Sequence, residues 1–251
     1  MSTDEDRSRA ASIVRAWIGG WAAAVAQRRT WLTDLDAAIG DGDHGINLDR
    51  GLAAVAADLE RPDAPEEAGL LLAAAGRRLM GVVGGASGAL YGRALLRAGE
   101  AVSADPDPER LGMTALEAAI DAIEHLGKAV PGDKTMLDAL VPGLEALVAD
   151  ATPDAASYAR AAEAAAAGVE ATIPLVARKG RASYLGDRSA GHRDPGAASS
   201  ALLVACLARA YADHPAQGGV ARDTQPSRGE RPGARAMEPG ARRLDPRPRD
   251  A

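Results

Sequence analysis

Apolar residues recur along this chain at helical spacing. Over residues 7–27, Ile13, Val14, Trp17, Ile18 and Trp21 fall on one face of a 3.6-residue period. The same period returns over 44–60 through Ile46, Leu48, Leu52 and Val55, and over 66–80 up to Leu79 and Met80. A fourth helix is expected from the glycine cluster at 81–88 to residue 102, and a fifth over 111–126 through Leu116, Ile120 and Ile123. A sixth follows the turn Pro131-Gly132-Asp133, with Asp133 as its N-cap and Met136, Leu140, Leu144 and Leu147 on its buried face. The seventh spans 154–177, where Pro174 marks a kink or an early end. Asp194 and Pro195 supply N-cap and first helical residue of an eighth, through Leu202, Leu203, Leu207 and Tyr211. Residues 31–39 read as a short turn between the first two helices. No internal repeat is visible. The expectation is therefore all-α: eight helical segments in one domain over 1–214.

Composition supports that class. The 251 residues are 47% hydrophobic but only 3% aromatic, with no Phe and long alanine stretches. Alanine is the best helix former, and small side chains let helices approach closely. Residues 215–251 differ, being rich in Pro, Gly and Arg, and are expected to be a disordered tail. That tail holds eight Arg against five Asp or Glu, so it is +3 within a net charge of −6, leaving −9 for the body. An acidic body without a basic cluster argues against nucleic acid as a ligand. The single cysteine, Cys206, allows no internal disulfide, and a reducing cytoplasm fits. The start, Met1-Ser-Thr-Asp-Glu-Asp, is the opposite of a signal peptide's basic end, and no apolar run approaches the roughly 20 residues needed to span a bilayer.

The chemistry concentrates at 36–47, Asp36-Ala-Ala-Ile-Gly-Asp41-Gly-Asp43-His44-Gly-Ile-Asn47. Asp36 sits near a helix C-terminus, where the macrodipole disfavours an anion. Asp41 and Asp43 are two apart in a glycine-rich loop, so their side chains point the same way. Three converging carboxylates call for a hard divalent cation such as Mg²⁺, Mn²⁺ or Ca²⁺. A solvated acidic loop is the plainer alternative, but it does not explain Asp36 at the wrong helix end. An EF-hand fails because its fifth position, counted from Asp41, is Gly45. Gly40, Gly42 and Gly45 match the dinucleotide spacing, yet no strand precedes them, and two aspartates would repel a bare pyrophosphate. With a metal those aspartates become ligands, and the helix that follows offers its N-terminal N–H groups to an anion.

Two further stretches bear on an anion. Gly81-Val-Val-Gly84-Gly85-Ala86-Ser87-Gly88 opens a helix, so glycine backbone and the Ser87 hydroxyl form a phosphate cradle, or else the glycines serve close helix packing. Residues 178–196 carry four arginines, a lysine, a tyrosine and a histidine among glycines, in a loop long for a compact domain. It reads as a lid on the phosphate side.

Taken together, Leu35-Asp-Ala-Ala-Ile-Gly-Asp-Gly-Asp-His-Gly-Ile-Asn, Val83-Gly-Gly-Ala-Ser-Gly, Pro131-Gly-Asp-Lys-Thr-Met, and Arg178-Lys-Gly-Arg-Ala-Ser-Tyr-Leu-Gly with His192-Arg-Asp-Pro-Gly resemble the nucleotide-binding L subunits of dihydroxyacetone kinase, the DhaL family. The resemblance covers residues 7–213. It implies an eight-helix up-and-down barrel with the nucleotide, ADP or ATP, at one end. It also implies that Asp36, Asp41 and Asp43 hold two Mg²⁺ ions, that His44 and Asn47 contact the nucleotide, and that Ala86 and Ser87 bind phosphate. Arg181 would balance charge, and Gly127, Met136, Asp194, Pro195 and Gly196 would line the nucleoside pocket. The family's dihydroxyacetone is held covalently on a separate K subunit. In one version bound ADP is rephosphorylated by a phosphotransferase-system M subunit; in another, ATP exchanges freely. Related domains serve other keto-sugar kinases, and a nucleotide-sensing module read by a regulator is a further alternative.

Overall fold

The computed structural model describes residues 3–150 and 152–216. The tail expected over 215–251 lies almost wholly outside the described residues. Among them are nine α-helices: α1 (Asp4–Gln27), α2 (Arg29–Ile39), α3 (His44–Leu59), α4 (Ala68–Val82), α5 (Gly85–Ala104), α6 (Leu111–Gly127), α7 (Leu137–Val148), α8 (Ala155–Ala171) and α9 (Pro195–Asp213). A 3-10 segment, Arg181–Ser189, lies between the last two. The all-α class holds, but the expected count of eight does not, because residues 31–39 belong to a three-turn helix. Only Arg28 separates α1 from α2, and Leu32, Asp36 and Ile39 line the buried face of α2.

Two other expectations are corrected. Asp133 does not cap α7, which begins at Leu137; the intervening residues form a turn in which Lys134 takes a left-handed backbone, φ 63°. The seventh predicted helix starts on its Asp154 cap as expected but ends at Ala171, not 177. Pro174, which lacks an N–H, thus lies beyond the end rather than at a kink.

α1 packs on α3, each helix from α3 to α8 packs on its successor, and α9 returns to α1, closing a ring of eight, while the short α2 lies against α3 and α9. Neighbours in this ring run antiparallel. Arg9 Nε donates to the His214 carbonyl, Trp17 Nε1 to Leu203 and Trp21 Nε1 to Ser199, so α1 and α9 pair in opposite directions. Between α4 and α5 the backbones approach closely. A Cβ at Gly76 would lie 2.6 Å from the Gly92 carbonyl oxygen, and one at Gly99 would lie 2.7 Å from the Ala73 amide. Small residues were expected to allow such contact, and here backbone meets backbone. The core is aliphatic and alanine-rich around Trp17, Trp21 and Tyr91, the last two edge to face at 5.0 Å. This alternation sorts the joints. The α2–α3, α4–α5, α6–α7 and α8–α9 joints share one end of the ring, near which α1 also gives way to α2, and the α3–α4, α5–α6 and α7–α8 joints share the opposite end with the start of α1 and the close of α9.

Candidate functional site

At the first of these ends the four joints surround a cavity of about 290 Å³. All the residues singled out from sequence line it: Asp36, Asp41, Asp43, His44 and Asn47 from the first joint, and Ala86 and Ser87 from the second. Gly127 and Met136 come from the third, and Arg181, Asp194, Pro195 and Gly196 from the fourth. The sequence thus scatters over 160 residues what the helix alternation collects in one place.

The acidic loop is shaped by the two helices it joins. Asp36 is buried in the last turn of α2, and its Oδ2 accepts the N–H groups of Asp43 at 2.9 Å and His44 at 3.1 Å. The side chain of Asp43, the residue in the N-cap position, makes no such bond. One carboxylate therefore closes the C-terminal end of α2 against the N-terminal end of α3, whose partial positive charge offsets the unfavourable end of α2. Gly42 turns the chain with φ 72°, a value that other residues rarely adopt. Asp41 and Asp43 are exposed beside Asp36, and one oxygen from each of the three lies within 4.8 Å of the others. Such an all-oxygen set suits a hard divalent cation. Across from it, Arg181 Nε is 3.1 Å from Asp41 Oδ2.

The second joint presents bare backbone. Gly85 has φ 71°, and a Cβ at either Gly84 or Gly85 would meet nothing within 4 Å. The first turn of α5 begins at that uncovered backbone, a helix end that favours an anion, whereas the leading amide of α3 is already taken by the Asp36 carboxylate.

His44 is buried beneath this surface. Its Nδ1 lies 3.1 Å from Ser87 Oγ and its Nε2 lies 2.9 Å from Ser199 Oγ. Burial holds its pKa below the usual histidine value, against the pull of Asp36 and Asp43. Ser199 continues to the Tyr91 hydroxyl at 2.7 Å, and Tyr91 to Ser200 Oγ at 2.8 Å. This chain of side chains ties Ser87 in the glycine-rich loop to the Asp194-Pro195-Gly196 turn, where Tyr91 and Ser199 donate to the Gly196 carbonyl. Sequence reasoning missed Tyr91, Ser199 and Ser200. The available signal was the pair of serines on an otherwise apolar helix, which a core position tolerates only with hydrogen-bond partners.

On the far wall Asp194 caps α9, accepting the Ala197 N–H at 2.7 Å. Burial pushes its pKa up to about 7, opposed by that bond and by the charge of Lys134. Lys134 was also missed; it is buried, and burial lowers its pKa against the pull of Asp194 and Asp138. Asn47 is partly exposed, its Oδ1 accepting from Arg50 at 2.9 Å. No helix among the described residues is long and apolar enough to cross a membrane.

Comparison with known proteins agrees with the helical fold. The DAK2 domain model matches residues 38–209. The ADP-binding subunit DhaL of PEP-dependent dihydroxyacetone kinase 2 from Listeria innocua is 44% identical over 188 residues, covering 72% of this chain and 86% of that one. The DhaL subunit of the Escherichia coli PEP-dependent enzyme is 41% identical over 185 residues, covering 72% and 87%. Among solved structures, the dihydroxyacetone kinase of C. freundii in complex with AMP-PNP and Mg²⁺ superposes with a TM-score of 0.60 at 30% identity. The match covers 83% of this chain and 34% of that one, so the chain corresponds to about a third of the solved kinase. By matched family model, by identity over most of its relatives' length and by fold, the chain belongs to the DAK2-domain family, among the DhaL subunits of dihydroxyacetone kinases.

Proposed function

We propose that this chain binds ADP or ATP with Mg²⁺ and passes a phosphoryl group to dihydroxyacetone held on a separate K subunit. A phosphotransferase-system M subunit would rephosphorylate the bound ADP, and the reaction would run in the cytoplasm. One observation carries the reading: three convergent carboxylates face two helix N-termini and an uncovered glycine backbone across one cavity.

The residues fit the group they would hold. Asp36, Asp41 and Asp43 offer only oxygen, and Asp36 keeps Oδ1 clear of the amide bonds made by Oδ2. Two Mg²⁺ ions bound there would neutralise the phosphates and fix their oxygens. The first-turn amides of α5 and the side chain of Ser87 would orient the phosphoryl oxygens, with the positive end of the α3 dipole nearby. Arg181, now beside Asp41, supplies positive charge on the open side. His44 holds Ser87 from below, and Asn47 stands at the mouth. Met136, Gly127 and the Asp194-Pro195-Gly196 turn form the nucleoside wall. No side chain here acts as a nucleophile on phosphorus; phosphoryl transfer needs placement and charge neutralisation.

Calorimetric titration of ADP into metal-free protein, with and without Mg²⁺, tests the site. Mg²⁺-dependent binding that disappears in Asp41→Ala is expected, together with loss of K-dependent dihydroxyacetone phosphorylation. Equal binding in both conditions, or normal turnover by Asp41→Ala with the K subunit, would overturn the reading.

A further inference from the structure

The turn at 131–135 has no part in the chemistry above, yet it holds two buried charged residues. Asp133 is 5% exposed and Lys134 is 1% exposed. Lys134 carries a left-handed backbone, a conformation kept outside glycine only where the surroundings over-determine it. Its Nζ donates to the Thr172 carbonyl at 2.7 Å, at the end of α8, and to the His192 carbonyl at 2.5 Å. The Asp133 carbonyl accepts the Arg178 N–H at 3.0 Å, and its Oδ1 lies 3.7 Å from the Arg178 guanidinium. Residue 178 is where the arginine-rich loop departs, and residue 192 is where it returns. Adjacent residues of one turn thus grip both ends of the loop.

Two further ties close its base. The Ala177 N–H donates to Ser189 Oγ at 2.8 Å, and the Gly191 N–H donates to the Ile173 carbonyl at 2.7 Å. Beyond the base the contacts thin out. Ala182 packs against Ile39, while Tyr184 is 88% exposed. Arg181 meets Asp41, but its side chain is 66% exposed. An ion pair of that exposure is too weak to order a loop of this length. Charge-assisted bonds from a buried ammonium are the stronger kind. The placement of Arg181 therefore draws on the base together with the Ala182–Ile39 contact.

We propose that Lys134, together with Asp133, is a positioning residue: it clamps the loop of residues 178–192 and so sets Arg181 across the cavity mouth. The role of Arg181 rests on the nucleotide reading above, but the clamp does not.

The test uses Lys134→Met, Arg181→Ala and the double variant in the full chain. In ligand-free protein, tryptic cleavage within 178–192, located by mass spectrometry, is expected to accelerate at least ~10-fold in Lys134→Met while the melting transition stays cooperative. Unchanged loop cleavage overturns the clamp. With the K subunit present, each single variant is expected to lose roughly 100-fold in kcat/KM, and the double to fall no more than ~3-fold below the worse single. Multiplying losses would mean that Lys134 acts independently of Arg181, and would overturn the proposal. Should Lys134→Met fail to fold, Ser189→Ala loosens the same base without touching a buried charge. It is expected to raise loop cleavage and to be non-additive with Arg181→Ala; wild-type cleavage would overturn the clamp. Failure of the wild type to bind Mg-ADP would remove the nucleotide reading and leave the cleavage arm to decide.

Discussion

Asp36 Oδ2 accepts the backbone N–H of His44 at 3.1 Å, which makes the carboxylate at the end of one helix the cap of the next. The sequence places Asp36 at an unfavourable helix end and calls for a cation to neutralise it. The structure supplies part of that neutralisation from the amides of α3. Asp36 therefore has a structural duty that Asp41 and Asp43 do not share.

That division of labour gives a first prediction. Asp36→Ala should lower metal-free stability by about 1–2 kcal/mol, the usual worth of a lost cap. Asp41→Ala should change it by less than about 0.5 kcal/mol, since Asp41 is exposed. Both should lose Mg²⁺-dependent ADP binding. Urea denaturation and calorimetry check the pair, and equal stability losses would contradict the assignment.

The hydroxyl chain beneath the cavity is open to a second. Ser199→Ala leaves His44 Nε2 buried without its partner, whereas Tyr91 keeps Ser200. A buried polar group stripped in this way costs about 1–3 kcal/mol. A loss below ~0.5 kcal/mol in denaturant titration would show that the Ser199 bond is dispensable.

Two glycines of α4 should respond with opposite signs. Gly76→Ala forces a Cβ to within 2.6 Å of the Gly92 carbonyl and 2.7 Å of the Leu96 amide, backbone atoms that cannot swing away. It should destabilise by about 1–3 kcal/mol. Gly81 has nothing within 4 Å of its would-be Cβ, so Gly81→Ala should stabilise by roughly 0.5–1 kcal/mol. Melting temperatures that move in the same direction would refute the packing argument.

Asp194 sets a pH dependence. Its folded pKa, raised to about 7, lies above the ordinary carboxyl value of 3.8, so between those values the folded state holds the proton more tightly. Its contribution to stability is full below about 4 and is lost as pH rises through 7. Asp194→Asn preserves a capping oxygen and removes the titration. The stability difference between wild type and variant should therefore slope across pH 4–7 and flatten above; parallel curves over the whole range would exclude it.

Much of this was legible in the chain because helices announce themselves locally. The faces carrying Trp17, Leu52 and Leu140, the caps Asp154 and Asp194, and the crowding of Asp36, Asp41 and Asp43 all follow from spacing within a few residues. The α2 helix was underread because Arg28 alone breaks it from α1, with no proline or glycine to mark the joint. Asp133 was misread because its partners, the Val130 and Arg178 amides, do not belong to the helix it precedes. Lys134 and Tyr91 draw their meaning from partners far along the chain, and no local pattern reports them; for Ser199 only the paired serines of α9 hint at buried partners.

The close pairing of Arg9 with the His214 carbonyl brings the start of α1 beside the close of α9, at the end of the ring away from the cavity. A helix the length of α9 puts roughly 28 Å between the two ends. Another domain could be tethered at either junction without crossing the mouth, and a short linker joining the two junctions would allow the ring to be reopened elsewhere. This geometry makes the fold a cassette, joined to whatever else it carries at one end and left uncovered at the cavity end.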